Sequence, residues 1–529
     1  MLKSSGAMAA ATLSSRVLGM VREMVYARFM GDGWVAGAFQ VAFTIPNLFR
    51  RLLGEGALTA AFIPIFKQKE KTAGEVEMWR AANAVISGLI VTASAVTVLV
   101  MAGVWTALSL HQFPAKTDLM LRLLGWMFPY MLLVCVAAAF MGMLNARGYF
   151  FIPAMGAAML NVVMIASVLW VAPRWGQALH QQIFALAIGV LAAGVAQAAF
   201  QLPSLWRDGF RYHWVSPWRN DTVRRVVRQM IPGAIGVAAF QINVAFIQGL
   251  GFWLDTPERP LIAPFNYAVR LMELPQGVFG ISLATFLLPT LSGLAAEKNY
   301  SEFRAMLRHG MEHLILLNLL MSVLLVVLAE PIIRLLFEHG KFGPASTERA
   351  TLALECLGAS LVAYSLVNVL ARAFFALGDT RTPMKISIVC LGLNLVFALG
   401  LIWPFRQGGL GLANTISSGF NLALLLYALR RKLGRLDLGL LLPTLLPQAI
   451  AAALATATAL VASHVWNSKA GHATVPLKIG AVFVPGALAG SIYWGFVLWA
   501  KIPAAHEITA LVFQRFRAAS NPATSEEDR

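Results

Sequence analysis

Charged residues are scarce in this chain. Only 13% of its 529 residues are Asp, Glu, Lys or Arg, about half the share of a soluble domain. With 58% hydrophobic residues and a mean hydropathy of +0.69, that shortage excludes a water-soluble globular protein. Long polar loops are missing too. The longest polar stretches lie near 67–80, 205–224 and 329–349, too short to fold as soluble domains, so function must reside in the apolar part. The three cysteines, Cys135, Cys356 and Cys390, are odd in number and scattered through apolar runs, which excludes a disulfide framework. The nine histidines are read as forming no ligand-spaced pair, so no metal site and no cofactor are expected. Acidic residues number 25 against 42 basic ones, and no paired acid cluster of the kind that holds a catalytic metal appears. An enzyme is therefore not expected. Short alternating segments are absent as well, which argues against a transmembrane β-barrel.

What is present is apolar sequence in long runs. A spanning helix needs about 20 apolar residues. Such runs fall near 8–29, 33–66, 78–108, 119–145, 153–173, 180–204, 224–254, 262–295, 303–328, 347–376, 382–403, 409–431, 442–464 and 478–500. The expectation is an all-α polytopic membrane protein of about 14 transmembrane helices. The first run carries arginines and lacks a small-residue cleavage site, so it is expected to stay as the first helix. Numbered from a cytoplasmic amino terminus, the inside loops take about 26 of the Lys and Arg, the outside loops about ten and the spans about six, as the positive-inside rule requires. Both termini are then cytoplasmic. The net charge of +17 becomes a matter of topology, with anionic membrane lipids as partners and no nucleic acid.

Some charges nevertheless sit inside the apolar runs. The first run, Ala7 to Met30, holds Arg16, Arg22, Glu23 and Arg28; the second holds Arg50, Arg51 and Glu55; a later one holds Arg270 and Glu273. An arginine at the centre of a lipid-facing helix costs about 2.5–3.5 kcal/mol on the gentlest scale. Facing an internal, water-filled cavity removes that cost. Six arginines and three glutamates make such a cavity cationic and suited to an anion. In the first span Arg16 and Glu23 share a helix face and Arg22 lies off it, so this helix is enclosed or unwinds at Gly19. Pro46, one turn before Arg50, breaks the second span where freed backbone groups meet protein or cavity. Arg51 and Glu55 are spaced to pair at i,i+4, and Arg270 and Glu273 at i,i+3. A packing salt bridge or snorkelling is the alternative for every arginine. It suits Arg28 and Arg51 better than Arg16, Arg22, Arg50 and Arg270. The glutamates orient the arginines, with proton coupling as the lesser reading. Phosphate is the anion that arginine matches best, through bidentate, charge-assisted hydrogen bonds.

A weak repeat runs through the chain. "LNARGYFFIP" around Arg147 resembles "LARAFFALGDTRTP" around Arg372, and Pro64 lies in a segment similar to that around Pro289, both at an offset of 225 positions. An offset of six spans makes the halves parallel, with a site between them at the membrane midplane. The expected division is a lobe over 1–210, a pseudo-symmetric lobe over 211–435, two additional helices over 436–505 and a cytoplasmic tail over 506–529. The tail reads as disordered from Ala518. "PIIRLLFEHGKFG", from Pro331 to Gly343, reads as a short interfacial helix and turn, either a connector or a gate. "GDTRTP" at 378–383 reads as a hinge turn.

Four segments, "SRVLGMVREMVYARFMG", "FTIPNLFRRLLGEGALTAAFIPIF", "NYAVRLMELPQGVFGISLATFLLPTLS" and "FEHGKFG", resemble the MurJ/MviN family of bacterial lipid II flippases, within the multidrug/oligosaccharidyl-lipid/polysaccharide exporter superfamily. The resemblance runs to about residue 435, and the two further spans also fit. It implies alternating-access transport of lipid II, undecaprenyl-diphosphate-linked MurNAc-pentapeptide-GlcNAc, across the inner membrane for peptidoglycan synthesis, alongside the cell-wall synthesis machinery. It places the family's cavity arginines on Arg16, Arg22, Arg50 and Arg270, while Glu23, Arg51, Glu55 and Glu273 are the supporting ion pairs read from the residues themselves. The added helices would form a groove for the lipid tail. One departure stands out: many relatives carry an aspartate where this chain has Gly37, with Asp32 displaced nearby. The alternatives are another exporter of the superfamily, for lipid-linked oligosaccharides or drugs, and an integral-membrane polyprenyl-phosphate enzyme.

Overall fold

A computed structural model describes residues 2–54, 57–218, 220–434, 436 and 438–520. Glu55, one of the expected supporting charges, lies outside them. The described residues form helices and no strand. In chain order these are α1 (Leu2–Met30), α2 (Trp34–Phe49), α3 (Ala57–Leu110), α4 (Ala115–Met127), α5 (Tyr130–Ala146), α6 (Phe151–Ala166), α7 (Ala172–Trp175), α8 (Leu179–Arg207) and α9 (Asp221–Leu254). Then follow α10 (Ile262–Pro275), α11 (Ser282–Ala296), α12 (Tyr300–Val327), α13 (Ala329–Phe337), α14 (Pro344–Gly358), α15 (Leu361–Ala376), α16 (Arg381–Leu433), α17 (Leu442–Lys469), α18 (Val475–Trp499) and α19 (Pro503–Ser520).

Sequence chemistry sets the ends of several elements. Asn220 accepts from the Thr222 and Val223 amides and starts α9, and Asn299 does the same for α12 through Glu302, satisfying amides that a helix start leaves unpaired. Gly31, at φ +63°, follows the end of α1, a conformation that costs glycine little. The 53 residues of α16 would reach about 80 Å if straight, far beyond a bilayer core of about 30 Å. The helix breaks at Arg406, φ +51°, and α3 breaks likewise at Gly74, φ +81°.

Among the described residues, eight helices are long and apolar enough to cross a membrane, or up to ten if two bent pairs each count as one span. This is fewer than the expected fourteen. In α1 the charges at Arg16, Arg22, Glu23 and Arg28 dilute the apolar run, and α2 has only 16 residues. The two arms of α3 and of α16 also count as one helix each. Outward-facing Leu99, Trp105 and Phe286 are each more than 70% exposed, which is tolerable only where the surrounding solvent is itself apolar.

The chain divides into two compact units, Met1–Pro264 with Phe337–Ser346 and Phe265–Leu336 with Thr347–Arg529. The division thus falls some fifty residues past the 210/211 boundary read from the sequence, and α9 belongs with the first unit. In that unit Phe62, Phe66, Trp79, Phe210 and Phe140 contact one another in series at 5.3–5.9 Å between ring centres, within a core built from α3, α5, α8 and α9. In the second unit Leu291, Phe303, Leu307, Leu370 and Phe374 form one core. A further core of that unit joins α12 to α17, α18 and α19. There Ala451, Ala455 and Ala459 are fully buried, small residues that let helices approach closely. Where a cytoplasmic tail was expected from 506, Pro503–Ser520 is helical.

Each unit contains the same two devices. In the first, α2 contains Pro46 and runs into a π-helical turn, Arg50–Gly54, before α3 with Pro64. In the second, α10 ends at Pro275 and runs into a π-helical turn, Gln276–Ile281, before α11 with Pro289. The pair α4 and α5 is bent by 42°, and the pair α14 and α15 by 44°.

Candidate functional site

The charges inside the apolar runs fall on both units: Arg16, Arg22, Glu23, Arg50 and Arg51 in the first, Arg270 and Glu273 in the second. Helix α1 is continuous through Gly19, so enclosure rather than unwinding accommodates its charges. It packs against α6, where Asn161 donates to the Ser15 carbonyl at 3.1 Å. Arg22 and Glu23 are 8% and 7% exposed. Arg22 Nη2 donates to Glu23 Oε1 at 2.5 Å, and the guanidinium lies 5.4 Å from the Tyr26 ring centre. Neighbouring helix residues do not normally face each other, so this pair forms only because both side chains curl to one side. Arg22 Nε is buried with no hydrogen-bond partner among the described residues. Arg16, one and a half turns earlier, is half-buried.

Arg50 sits at a proline-to-π junction, whereas Arg270 lies within α10, upstream of Pro275 and the π turn that follows it. Proline removes one backbone donor, and a π turn widens the helix locally, a feature frequent at functional sites. Arg50 opens its π turn and donates from Nε to Asn47 Oδ1 at 3.1 Å. Arg51 follows within the same turn, half-buried. Arg270 lies five residues before Pro275 and donates from Nη1 to Glu273 Oε2 at 2.7 Å. The structure therefore couples Arg22 with Glu23 and Arg270 with Glu273, and Arg50 with an asparagine that the sequence reading does not single out.

The space beside Gly37 is filled. A Cβ on Gly37 would lie 2.7 Å from Asp255 Oδ2, so the Asp255 carboxylate occupies the volume a side chain at 37 would take. Asp255 is 1% exposed, and its Oδ1 accepts from the Leu261 amide at 2.6 Å. Lys116 caps the end of α9, donating to the carbonyls of Phe252, Trp253 and Asp255 at 2.7, 3.2 and 2.5 Å, which suits a cation at a helix carboxyl end. Asp32 is buried and accepts from Ser346 Oγ at 2.7 Å. Asp255 and Lys116 carry no sequence signal, because their partners are backbone groups supplied by folding.

Other charges hold the scaffold. Arg147, just past α5, binds Asp208, Glu75 and Glu70, and these acids, the Asp208 hydrogen bond foremost, raise its already high pKa. In the turn before α16, Asp379 accepts from Lys432 at 2.7 Å and from the Thr382 amide and hydroxyl. Those bonds, led by Lys432, hold its pKa at about 2. The histidines, expected to form no ligand-spaced pair, do form one: His309 and His313 lie one turn apart on α12, and their ligand atoms and that of Glu507 of α19 all lie within 4.8 Å of one another. The third member lies almost two hundred positions away, so local spacing alone could not complete the set.

A family model described as "Lipid II flippase MurJ" matches residues 26–479. A "Probable lipid II flippase MurJ" of Vibrio cholerae serotype O1 is 34% identical over 439 residues, 80% of this chain and 82% of the relative. One of Rhizobium meliloti is 32% identical over 499 residues, 93% and 92% of the two chains. Among solved structures, "Lipid II flippase MurJ, inward closed conformation" superposes with a TM-score of 0.74 at 20% identity, covering 93% of this chain and 99% of that one. An inward-facing multidrug resistance transporter of the MATE family gives 0.63 at 13%, covering 80% and 95%; both likenesses speak for the fold. With the model spanning most of the chain and relatives above 30% identity along most of their length, this membrane protein belongs to the lipid II flippase MurJ family.

Proposed function

We propose that this chain flips lipid II, carrying the undecaprenyl-diphosphate-linked peptidoglycan precursor from the inner to the outer leaflet of the cytoplasmic membrane by alternating access. Family membership supports the activity. The observation that carries the chemistry is Arg22, a buried guanidinium with one N–H donor unmatched among the described residues. A buried donor is costly to leave unsatisfied, and a phosphate oxygen is the acceptor that arginine's planar fork suits. Arg16, Arg22, Arg50 and Arg270 then bind the diphosphate as a cationic set. Glu23 and Glu273 hold two of these arginines at fixed angles, and Arg51 and Glu55 act as a supporting pair. No bond in the substrate is made or broken.

Fourteen spans follow from treating each broken element as its parts: α1, α2 with the first arm of α3, the second arm of α3, the α4–α5 pair, α6–α7, α8, α9, α10–α11, α12, the α14–α15 pair, both arms of α16, α17 and α18. Both termini are then cytoplasmic, in accord with the distribution of basic loops. Helices α17 and α18, packed on each other and beside α12, supply the groove for the polyprenyl tail. In cells depleted of their own flippase, the wild-type chain should restore lipid II accessible at the outer leaflet. Arg270→Ala should not, while still reaching the membrane in normal amount. Full restoration by Arg270→Ala would overturn the arginine assignment.

A further inference from the structure

We propose that His309, His313 and Glu507 form a binding site for a divalent transition-metal ion of the zinc class, joining α12 to α19. The three residues offer one ligand atom each, all within 4.8 Å of one another. His309 Nε2 lies 3.5 Å from Glu507 Oε1, and His313 Nε2 lies 3.3 Å from Glu507 Oε2. These separations are long for direct hydrogen bonds, whose usual range ends near about 3.2 Å. The 3.3 Å from His313 Nε2 to Glu507 Oε2 matches the spacing of about 3.3 Å between two ligand atoms that each sit about 2.0–2.1 Å from a tetrahedral zinc ion, and His309 faces the other oxygen of the same carboxylate.

The histidine geometry points the same way. His313 Nδ1 is 2.8 Å from the His309 carbonyl. That contact places the ring proton on Nδ1 and leaves Nε2 as a lone-pair donor, the arrangement in which a backbone carbonyl orients a metal-bound histidine. The two rings are stacked, 5.1 Å between centres at 25°, and their Nδ1 atoms are 3.4 Å apart.

The third ligand is held in place independently. Helix α19 is anchored by Ala504 and Ala505, both fully buried in the core with α12, and by Thr509, whose hydroxyl accepts from Trp494 Nε1 at 3.0 Å. Glu507 is therefore aimed by packing and not by the histidines. The side chains remain 48%, 21% and 50% exposed for His309, His313 and Glu507, which gives an ion a way in and leaves room for water to complete the coordination. A metal here ties α19 to the start of α12.

The test uses the full chain purified in detergent, stripped with a chelator and titrated with Co2+, which reports its coordination by visible absorption, then with Zn2+ in competition. One ion per chain is expected, with the absorption lost or the affinity lowered at least about tenfold, the scale of loss seen for even outer-shell partners, in His313→Ala and in Glu507→Gln. His506→Ala, an exposed neighbour, should bind as the wild type does. Because His309 is more exposed than His313, His309→Ala provides a second variant whose folding is undisturbed, checked by its elution volume. Absence of Co2+ binding by the wild type, or binding untouched by His309→Ala and His313→Ala, would overturn the proposal. So would loss of binding in His506→Ala alone.

Discussion

Arg22 and Glu23 allow stability and transport to be separated. Arg22→Gln leaves the Glu23 carboxylate, whose side chain is 9% exposed, without its cation. Breaking one side of a buried pair costs about 3–5 kcal/mol, and burial this deep leaves little screening to reduce that figure. Against a typical stability of about 5–15 kcal/mol, the single variant should unfold in detergent at a clearly lower temperature. Replacing both residues, Arg22→Gln with Glu23→Gln, removes both charges together, and such exchanges are often neutral. The double variant should therefore recover most of the lost stability. It should not recover transport. A charge-assisted hydrogen bond is worth about 1.5–3 kcal/mol, so losing the guanidinium should lower outer-leaflet lipid II by about tenfold or more in flippase-depleted cells. Thermal unfolding of the purified variants and lipid II accessibility in cells are the two measurements. A double variant that is stable and flips lipid II at the wild-type level would show that Arg22 serves only to neutralise Glu23, and the anion-binding argument would fail.

Gly37→Asp should destabilise the protein by about 1–3 kcal/mol, since it forces a second carboxylate against Asp255 where one already fills the space. Adding Asp255→Gly should restore stability, and equal melting temperatures for Gly37→Asp with and without Asp255→Gly would refute the volume exchange. The pH dependence of Asp379 has a definite sign. Its folded pKa is depressed to about 2, so its contribution is present above the ordinary carboxylate range and disappears as pH falls toward 2. With a partly exposed partner in Lys432, that contribution should be about 1–2 kcal/mol. Unfolding of Asp379→Asn against the wild type between pH 7 and pH 2 should show a stability gap that closes at the acid end; a constant gap would contradict the assignment.

Much of the architecture can be read locally. Apolar length marks the helices, and Pro46 and Pro275 mark the two breaks, because a missing N–H acts on its own turn. The arginines and glutamates announce themselves by their cost in hydrocarbon, and the pairing of Arg270 with Glu273 needs only helical spacing. The count of spans is less legible: α3 and α16 each run past 50 residues and are divided by single backbone rotations at Gly74 and Arg406. Nothing in the residue pattern states at what angle such arms part.

Composition and periodicity thus determine that this chain is a helical membrane protein with cations inside its apolar runs, since insertion cost and helix geometry depend on near neighbours. Tertiary structure alone decides which distant groups meet. Asp255 fills the space beside Gly37, Lys116 caps α9, Arg147 gathers two acids from α3 and one from the loop beyond α8, and Glu507 completes a set begun by His309 and His313. Each of these depends on the packing of separate helices, and the energies involved act over a few ångströms in space whatever the distance along the chain.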